Sequence, residues 1–153
     1  MRTMIKISKA TNKDIEEIAK LMLEEFAKPP FNEKAPTKAV LKSLKFYLKI
    51  GMPYIVTADK KIVGVVIFKV EQYWEGKVII IEDLAVKDEF KKQGICKMLI
   101  GEVEAYAKKN KIKAICFSTD KKSSAVKFYQ KQGYKIRKNR ISMEKKIKSF
   151  LYT

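Results

Sequence analysis

Residues 77–86 read Lys-Val-Ile-Ile-Ile-Glu-Asp-Leu-Ala-Val, an apolar run interrupted only by two adjacent carboxylates. Apolar side chains on successive residues leave neither face of a strand to water, so the run predicts a strand buried on both faces. Such a strand needs other elements packed above and below it. The chain has 153 residues, enough for one domain over 1–153, and a domain of that size buries roughly 68–70% of the surface its unfolded chain exposes. Hydrophobic residues make up 46% and charged residues 33%, with six Gly and four Pro. That composition is globular and excludes a fibrous or disordered chain.

The flanking segments supply the covering layers. Ile5 and Ile7 alternate with polar residues as a short strand. Thr11 and Asn12 then precede a helix whose apolar positions are Ile15, Ile18, Leu21, Met22 and Phe26. Three prolines make residues 28–36 a loop. Thr37 is read as the cap of a second helix, with Val40, Leu41, Leu44, Tyr47 and Leu48 on one face and Gly51 at its end. A hairpin follows, 54–58 and 62–71 joined by a tight turn at Asp59 and Lys60. After the 77–86 strand come a loop at 88–93, a helix from Ile95, a strand at 112–117, a helix at 123–132 capped by Gly133, and two last strands at 134–138 and 141–146. The expected fold is α/β (α+β), a mixed central sheet flanked by helices in the order βααβββαβαββ.

Several chemistries are excluded by residue type alone. The chain has no histidine, so Ser-His-Asp and Cys-His catalysis and every His-containing metal site are ruled out. Two cysteines, Cys96 and Cys116, cannot form a zinc tetrad; each sits in an apolar pattern and is read as a buried, reduced thiol. No metal is expected. The N-terminal residues have no apolar signal region and no stretch approaches the roughly 18 apolar residues of a membrane span, so a cytoplasmic protein without membrane partners is expected. The net charge of +17 rests almost wholly on lysine and favours polyanions. Because the lysines are scattered and not gathered in a run with interleaved aromatics, they are read as solvated faces, and a nucleic-acid partner is not expected.

The most informative join is the one that leaves this strand. Residues 87–93 lead to Gly94-Ile95-Cys96-Lys97, the start of a helix. A strand that delivers a glycine to a helix start leaves backbone N–H groups pointing outward, and with the positive end of the helix dipole they suit a pyrophosphate. Gly94 lets the backbone come close, and Lys91, Lys92 and Lys97 add positive charge.

In this context the sequence resembles the GNAT superfamily of N-acetyltransferases, whose acyl-CoA motif reads Arg/Gln-x-x-Gly-x-Gly/Ala after a strand ending in a Leu-Ala-Val-like triplet. The match here is Lys91-x-x-Gly94-x-Cys96, with Lys in place of Arg or Gln and Cys in place of Gly or Ala. A second block, from Ser124 through Phe128 and Tyr129 to Gly133 and Tyr134, is similar to the family's Asn-x-x-Ala-x-x-Phe-Tyr-x-x-x-Gly-Phe/Tyr segment, with Lys122 at the Asn position. Ala125, Phe128, Tyr129 and Gln132 fall on one helical face.

The resemblance implies an enzyme with acetyl-CoA as co-substrate. Leu84, Ala85 and Val86 would pair with its pantetheine arm. The segment Lys91, Lys92, Gln93, Gly94, Ile95, Cys96 and Lys97 would wrap its pyrophosphate, with Ser124 and Phe128 also at the cofactor. It further implies that Tyr129 returns a proton to the departing thiolate and that a carboxylate near Glu82 serves as base. An alkylammonium with pKa about 10.4 is mostly charged at neutral pH, so its proton has to be removed. Glu82 is taken as the base and Asp83 as the alternative, since neighbours in an unbroken strand face opposite sides. The Val86 N–H is the expected oxyanion donor.

Residues 82–86 are also similar to the corresponding strand of small-molecule amine acetylases, so a small primary amine is the expected acceptor. The 28–36 loop with Phe31, and Tyr73 with Trp74, are candidate walls for it. A peptide or protein amine is the rival acceptor. A non-catalytic acyl-CoA sensor and a basic nucleic-acid-binding domain are the readings from other classes. The residues do not fix an oligomeric state; dimers are common in the family, so a homodimer is compatible.

Overall fold

The computed structural model describes residues 2–147. The chain divides into two compact units, Met1–Phe117 and Ser118–Thr153.

The first unit is built on five strands: β1 (Ile5–Lys9), β2 (Met52–Ala58), β3 (Lys61–Tyr73), β4 (Gly76–Val86) and β5 (Ala114–Cys116). They lie in sequence order across the sheet, antiparallel from β1 to β4, with β5 parallel to β4. Asp59 and Lys60 both take positive φ, +48° and +71°, the backbone of a two-residue hairpin turn whose twist matches that of the strands it joins.

One face of the sheet is covered by α1 (Ile15–Phe26) and α2 (Thr37–Ile50). Ile15, Ile18, Ala19 and Leu21 of α1 and Leu44 of α2 pack on Ile55, Ile62, Val65, Ile67 and Ala85, with Met22, Phe26, Val40, Leu41, Tyr47 and Leu48 at the margin. These are the apolar positions that the 3.6-residue period selects. The N-terminus of α1 is prefaced by a 3-10 turn at Asn12–Asp14, where the Asp14 carboxylate accepts the Thr11 N–H at 2.9 Å. Thr37 is the first residue of α2, and Pro36 holds the capping position before it.

The other face carries α3 (Ile95–Lys109). Phe68 of β3 stacks on Tyr54 of β2 at 6.0 Å and meets Tyr106 of α3 edge-on at 5.3 Å. β4 therefore lies inside the sheet with helices on either side, as its apolar run requires. Cys96 and Cys116 do not pair with each other, and both are half-buried where full burial was expected.

The second unit contains α4 (Ala125–Lys131). Gly133, at φ +95°, ends it, with Tyr134 N–H bonding Tyr129 O and Gly133 N–H bonding Gln130 O, the Schellman arrangement. Among the described residues no strand follows β5, so the predicted strands at 134–138 and 141–146 do not form. Alternation alone cannot make a strand without a ladder and a face to bury. Here Ile136, Ile141 and Met143 are 61%, 85% and 87% exposed.

Candidate active site

The register of β4 on β3 breaks at the two acids. Asp83 faces Ile67 and Ile81 faces Phe68, so Glu82 has no opposite number. Two residues opposing one is a β-bulge. The premise of an unbroken strand fails at this point, and with it the separation of Glu82 from Asp83 by the sheet. Ile67 belongs to the core under α1 and α2, and Asp83 shares that face as its cross-strand partner. Glu82 is there too, since its Oε1 lies 3.0 Å from Nζ of Lys69, two residues beyond Ile67. Lys69 also reaches Glu71 at 3.2 Å. Tyr47 of α2 looks onto both acids; burial and then the Glu82 charge raise its phenol above the ordinary range.

The two carboxylates differ in surroundings. Glu82 has a lysine partner. Burial pushes the Asp83 carboxyl up to about 6, and the charges of Glu82 and Glu33 act in the same direction. Glu33 belongs to the loop after α1, which is pinned by its N–H to Phe26 O at 2.8 Å and by Phe31 packed edge-on against Phe26 at 5.7 Å.

β5 pairs with β4 only at Val78, Ile79 and Ile80. From Ile81 to Val86, no described strand is paired with that edge of β4. Lys87 N–H bonds Val63 O at 2.8 Å, which fixes the alternation of the ladder. Lys87 and Ala85 bond toward β3, while Leu84 and Val86 direct their N–H and C=O groups to the open edge. An extended polar chain laid along that edge would find both donor and acceptor.

Beyond Val86, a 3-10 turn at Asp88–Phe90 leads to Lys92 at φ +65° and Gly94 at φ +82°. A side chain at Gly94 would meet nothing within 4 Å. Glycine is needed there for the left-handed backbone, and the space above it is open to a ligand. Met98 N–H bonds Gly94 O at 3.0 Å, so the Ile95, Cys96 and Lys97 amides precede the first turn's bonds and point out of the helix start. The fit to a diphosphate is thus one of backbone, dipole and open space.

A glycine inside β3 brings this helix start to the end of β4. Gly64 pairs with Val86, and a Cβ on Gly64 would stand 2.8 Å from Ile95 Cγ2 and 3.2 Å from Leu99 Cδ1. Any side chain there would push α3 away.

The side chains of the segment go separate ways. Ile95 enters the core and Cys96 is half-buried, while Lys92, Gln93, Gly94 and Lys97 are exposed. Gln93 Nε2 donates to Glu89 O at 3.1 Å. Lys91 is exposed as well, but its ammonium is shared with two carboxylates, 2.6 Å from Asp88 Oδ1 and 3.3 Å from Glu25 Oε1.

In the second unit, Ser124 precedes α4 and is exposed, while Phe128 and Tyr129 are half-buried. The two rings meet edge-on at 5.4 Å, and Tyr129 meets Tyr134 in the same way at 6.0 Å. Ser123 is the residue that braces the helix start, its Oγ accepting the Ala125 N–H at 3.2 Å.

Tyr73 and Trp74 stand at the hairpin turn, with Trp74 fully exposed. Six residue steps along the strand lead from Gly76 to Glu82, about 20 Å, which removes the aromatic turn as a wall beside the acids. Glu25, Glu33, Tyr47 and Gly64 join the site without having been singled out for it. Of these only Gly64 carries a sequence signal, a glycine inside a strand.

Among the described residues no three His, Cys, Asp or Glu side chains gather as a metal site would require, and no helix is long and apolar enough to cross a membrane. Residues 15–134 match the family model described as acetyltransferase (GNAT) family. No curated protein matches the chain. Among solved structures, a possible acetyltransferase from Clostridium difficile 630 shares 19% identity and superposes with a TM-score of 0.82 over 94% of this chain and 99% of that one. An aminoglycoside N-acetyltransferase in complex with CoA shares 18%, with a TM-score of 0.80 over 95% and 97%. An aminoglycoside antibiotic 6'-N-acetyltransferase from Acinetobacter haemolyticus shares 15%, with a TM-score of 0.75 over 94% and 99%. At such identities the likeness is one of fold.

Proposed function

The chain belongs to the acetyltransferase (GNAT) family, and on that premise we propose that it moves an acetyl group from acetyl-CoA to a primary amine of a small molecule, by direct attack in a ternary complex. The observation that carries this is the bulge at Glu82. It sets two carboxylates side by side where β4 loses its partner strand, on the strand that leads to the helix start at Gly94.

In this reading the open edge at Leu84 and Val86 receives the pantetheine arm, and the amides from Lys91 to Lys97 receive the diphosphate. Asp83 is the base. Its raised pKa keeps it ionised at neutral pH yet basic enough to take a proton from an ammonium, directly or through water. Glu82 is the weaker choice, because Lys69 holds its charge. The freed amine forms a C–N bond at the thioester carbonyl, the Val86 N–H steadies the oxyanion, and the C–S bond breaks. Tyr129 takes its part, return of the proton to the thiolate, from the family resemblance.

The acceptor class follows from charge. Asp83 feels the negative charges of Glu82 and Glu33 in a chain of net charge +17, a local negative field that suits a cationic amine. The aminoglycoside enzymes among the structural neighbours act on amines of that kind by name. Thiol release from acetyl-CoA, followed across polyamines, aminoglycosides, sugar amines, amino acids and peptide N-termini, is the test. Release with small cationic amines is expected. Release with peptides alone would overturn the acceptor class, and release with none would overturn the catalytic reading.

A further inference from the structure

Glu25 is the one buried charged side chain among the described residues, 8% exposed. Its oxygens are divided between two lysines, Oε2 at 2.8 Å from Lys28 Nζ and Oε1 at 3.3 Å from Lys91 Nζ. Asp88 is divided in the same way, Oδ2 at 2.5 Å from Lys28 and Oδ1 at 2.6 Å from Lys91. Four side chains of alternating sign therefore close a ring. It joins the end of α1 to the turn at Asp88–Phe90 and to Lys91, three residues before Gly94.

Lys91 stands where the family motif has its first, cationic or amide, position, and a cation so near a helix start invites the role of phosphate ligand. The ring argues against that role. Glu25 Oε1 is buried, and the Lys91 ammonium at 3.3 Å is its counter-charge. Withdrawing Lys91 toward a solvent-exposed phosphate would leave the buried Glu25 carboxylate with one counter-charge, Lys28, in place of two, and an exposed ion contact is worth little in exchange. Asp88 and Lys91 also stay charged across the neutral range. Hydrogen bonds from Lys28 and Lys91 draw the Asp88 carboxyl down to about 2. For Lys91, burial opposes the charge, but Asp88 and Glu25 outweigh it and the net shift is upward.

We infer that Glu25 is a positioning residue of the acetyl-CoA site: with Asp88 and Lys28 it holds Lys91, so that the turn presents the amides of residues 91–97 in their binding arrangement, and Lys91 acts through this hold and not by touching the diphosphate. The inference rests on the acetyl-CoA reading given above.

The two roles of Lys91 differ in sign, which makes the test sharp. Calorimetric titration of the whole protein with acetyl-CoA compares the parent with Glu25→Gln. Loosening a preorganised turn is expected to raise the Kd roughly tenfold, with the KM for acetyl-CoA following and kcat, on the best amine of the panel, within about twofold. Were Lys91 a phosphate ligand restrained by the ring, the same change would tighten binding; a tighter or unchanged Kd in folded Glu25→Gln overturns the inference. If thermal melting shows that Glu25→Gln does not fold, Asp88→Asn, at the exposed side of the ring, decides by the same sign. A parent protein that gives no heat with acetyl-CoA would sink the acetyl-CoA reading itself, whereas a binding parent with unaltered variants would sink only the role of Glu25.

Discussion

The two halves of β4 are the same strand put to different use. From Val78 to Ile81 it pairs regularly with β3, and over Val78–Ile80 with β5 as well; Ile79 has no exposed surface. From Glu82 to Val86 the ladder to β3 resumes one residue out of step and no described strand pairs with the other edge. The first half is a core element with a neighbour strand on both sides from Val78 to Ile80. The second has one neighbour strand among the described residues, β3, which leaves hydrogen-bonding capacity on its other edge, and it turns two acids to one face. One inserted residue separates the half with two neighbour strands from the half that carries the proposed site.

That contrast is most directly broken by substitutions on either side of Glu82. Asp83→Asn is expected to lower kcat about 10²–10⁴-fold, the range for loss of a general base, with the KM for acetyl-CoA within about twofold; thiol-release kinetics measure both. A normal rate in this variant with a crippled Glu82→Gln would exchange the two roles. In the first half, Ile79→Ala is expected to cost about 2–5 kcal/mol of stability, read from urea unfolding, while activity per folded molecule stays near the parent's. An equal loss of specific activity in the two variants would erase the distinction between the halves.

Acidity sharpens the comparison further. A base with its pKa raised to about 6 is protonated below that pH, so kcat/KM is expected to fall about tenfold for each unit below 6 and to level off above it. The stability sign is opposite. Because the folded-state pKa of Asp83 lies above the unfolded value near 3.8, its contribution is complete below about pH 4 and is lost as the pH rises through 6. Asp83→Asn is therefore expected to raise the unfolding free energy at pH 8 by on the order of 1–3 kcal/mol, even as it stops turnover. A smaller effect, about tenfold in kcat, is expected for Tyr129→Phe with acetyl-CoA affinity intact; equal activity would remove Tyr129 from the mechanism.

How much of this was legible in the sequence follows from the range over which each signal acts. Periodicity is local, and it marks the packed faces of α1 and α2, as the apolar run marks the burial of β4. A left-handed glycine at a helix start is local too, so Gly94 was readable. The bulge was not, because register belongs to a pair of strands and depends on where Ile67 and Phe68 fall on β3. For the same reason the capture of Lys91 by Glu25, 66 residues away in the sequence, left no trace. The last two strands were overread from alternation, which describes a strand's faces but not whether a neighbour exists to pair with it.

The bulge also changes the phase of β4. Before it, odd-numbered residues, Ile79 and Ile81, stand opposite Val70 and Phe68; after it, even-numbered ones, Leu84 and Val86, stand opposite Val66 and Gly64 on that same side. Removing Glu82 would let the two halves close into one continuous pleat without turning any other side chain over. A one-residue deletion, ordinarily ruinous inside a central strand, would here yield a tidier sheet carrying a single acid. At this position the alternation of side chains on either half of β4 holds with or without the extra residue.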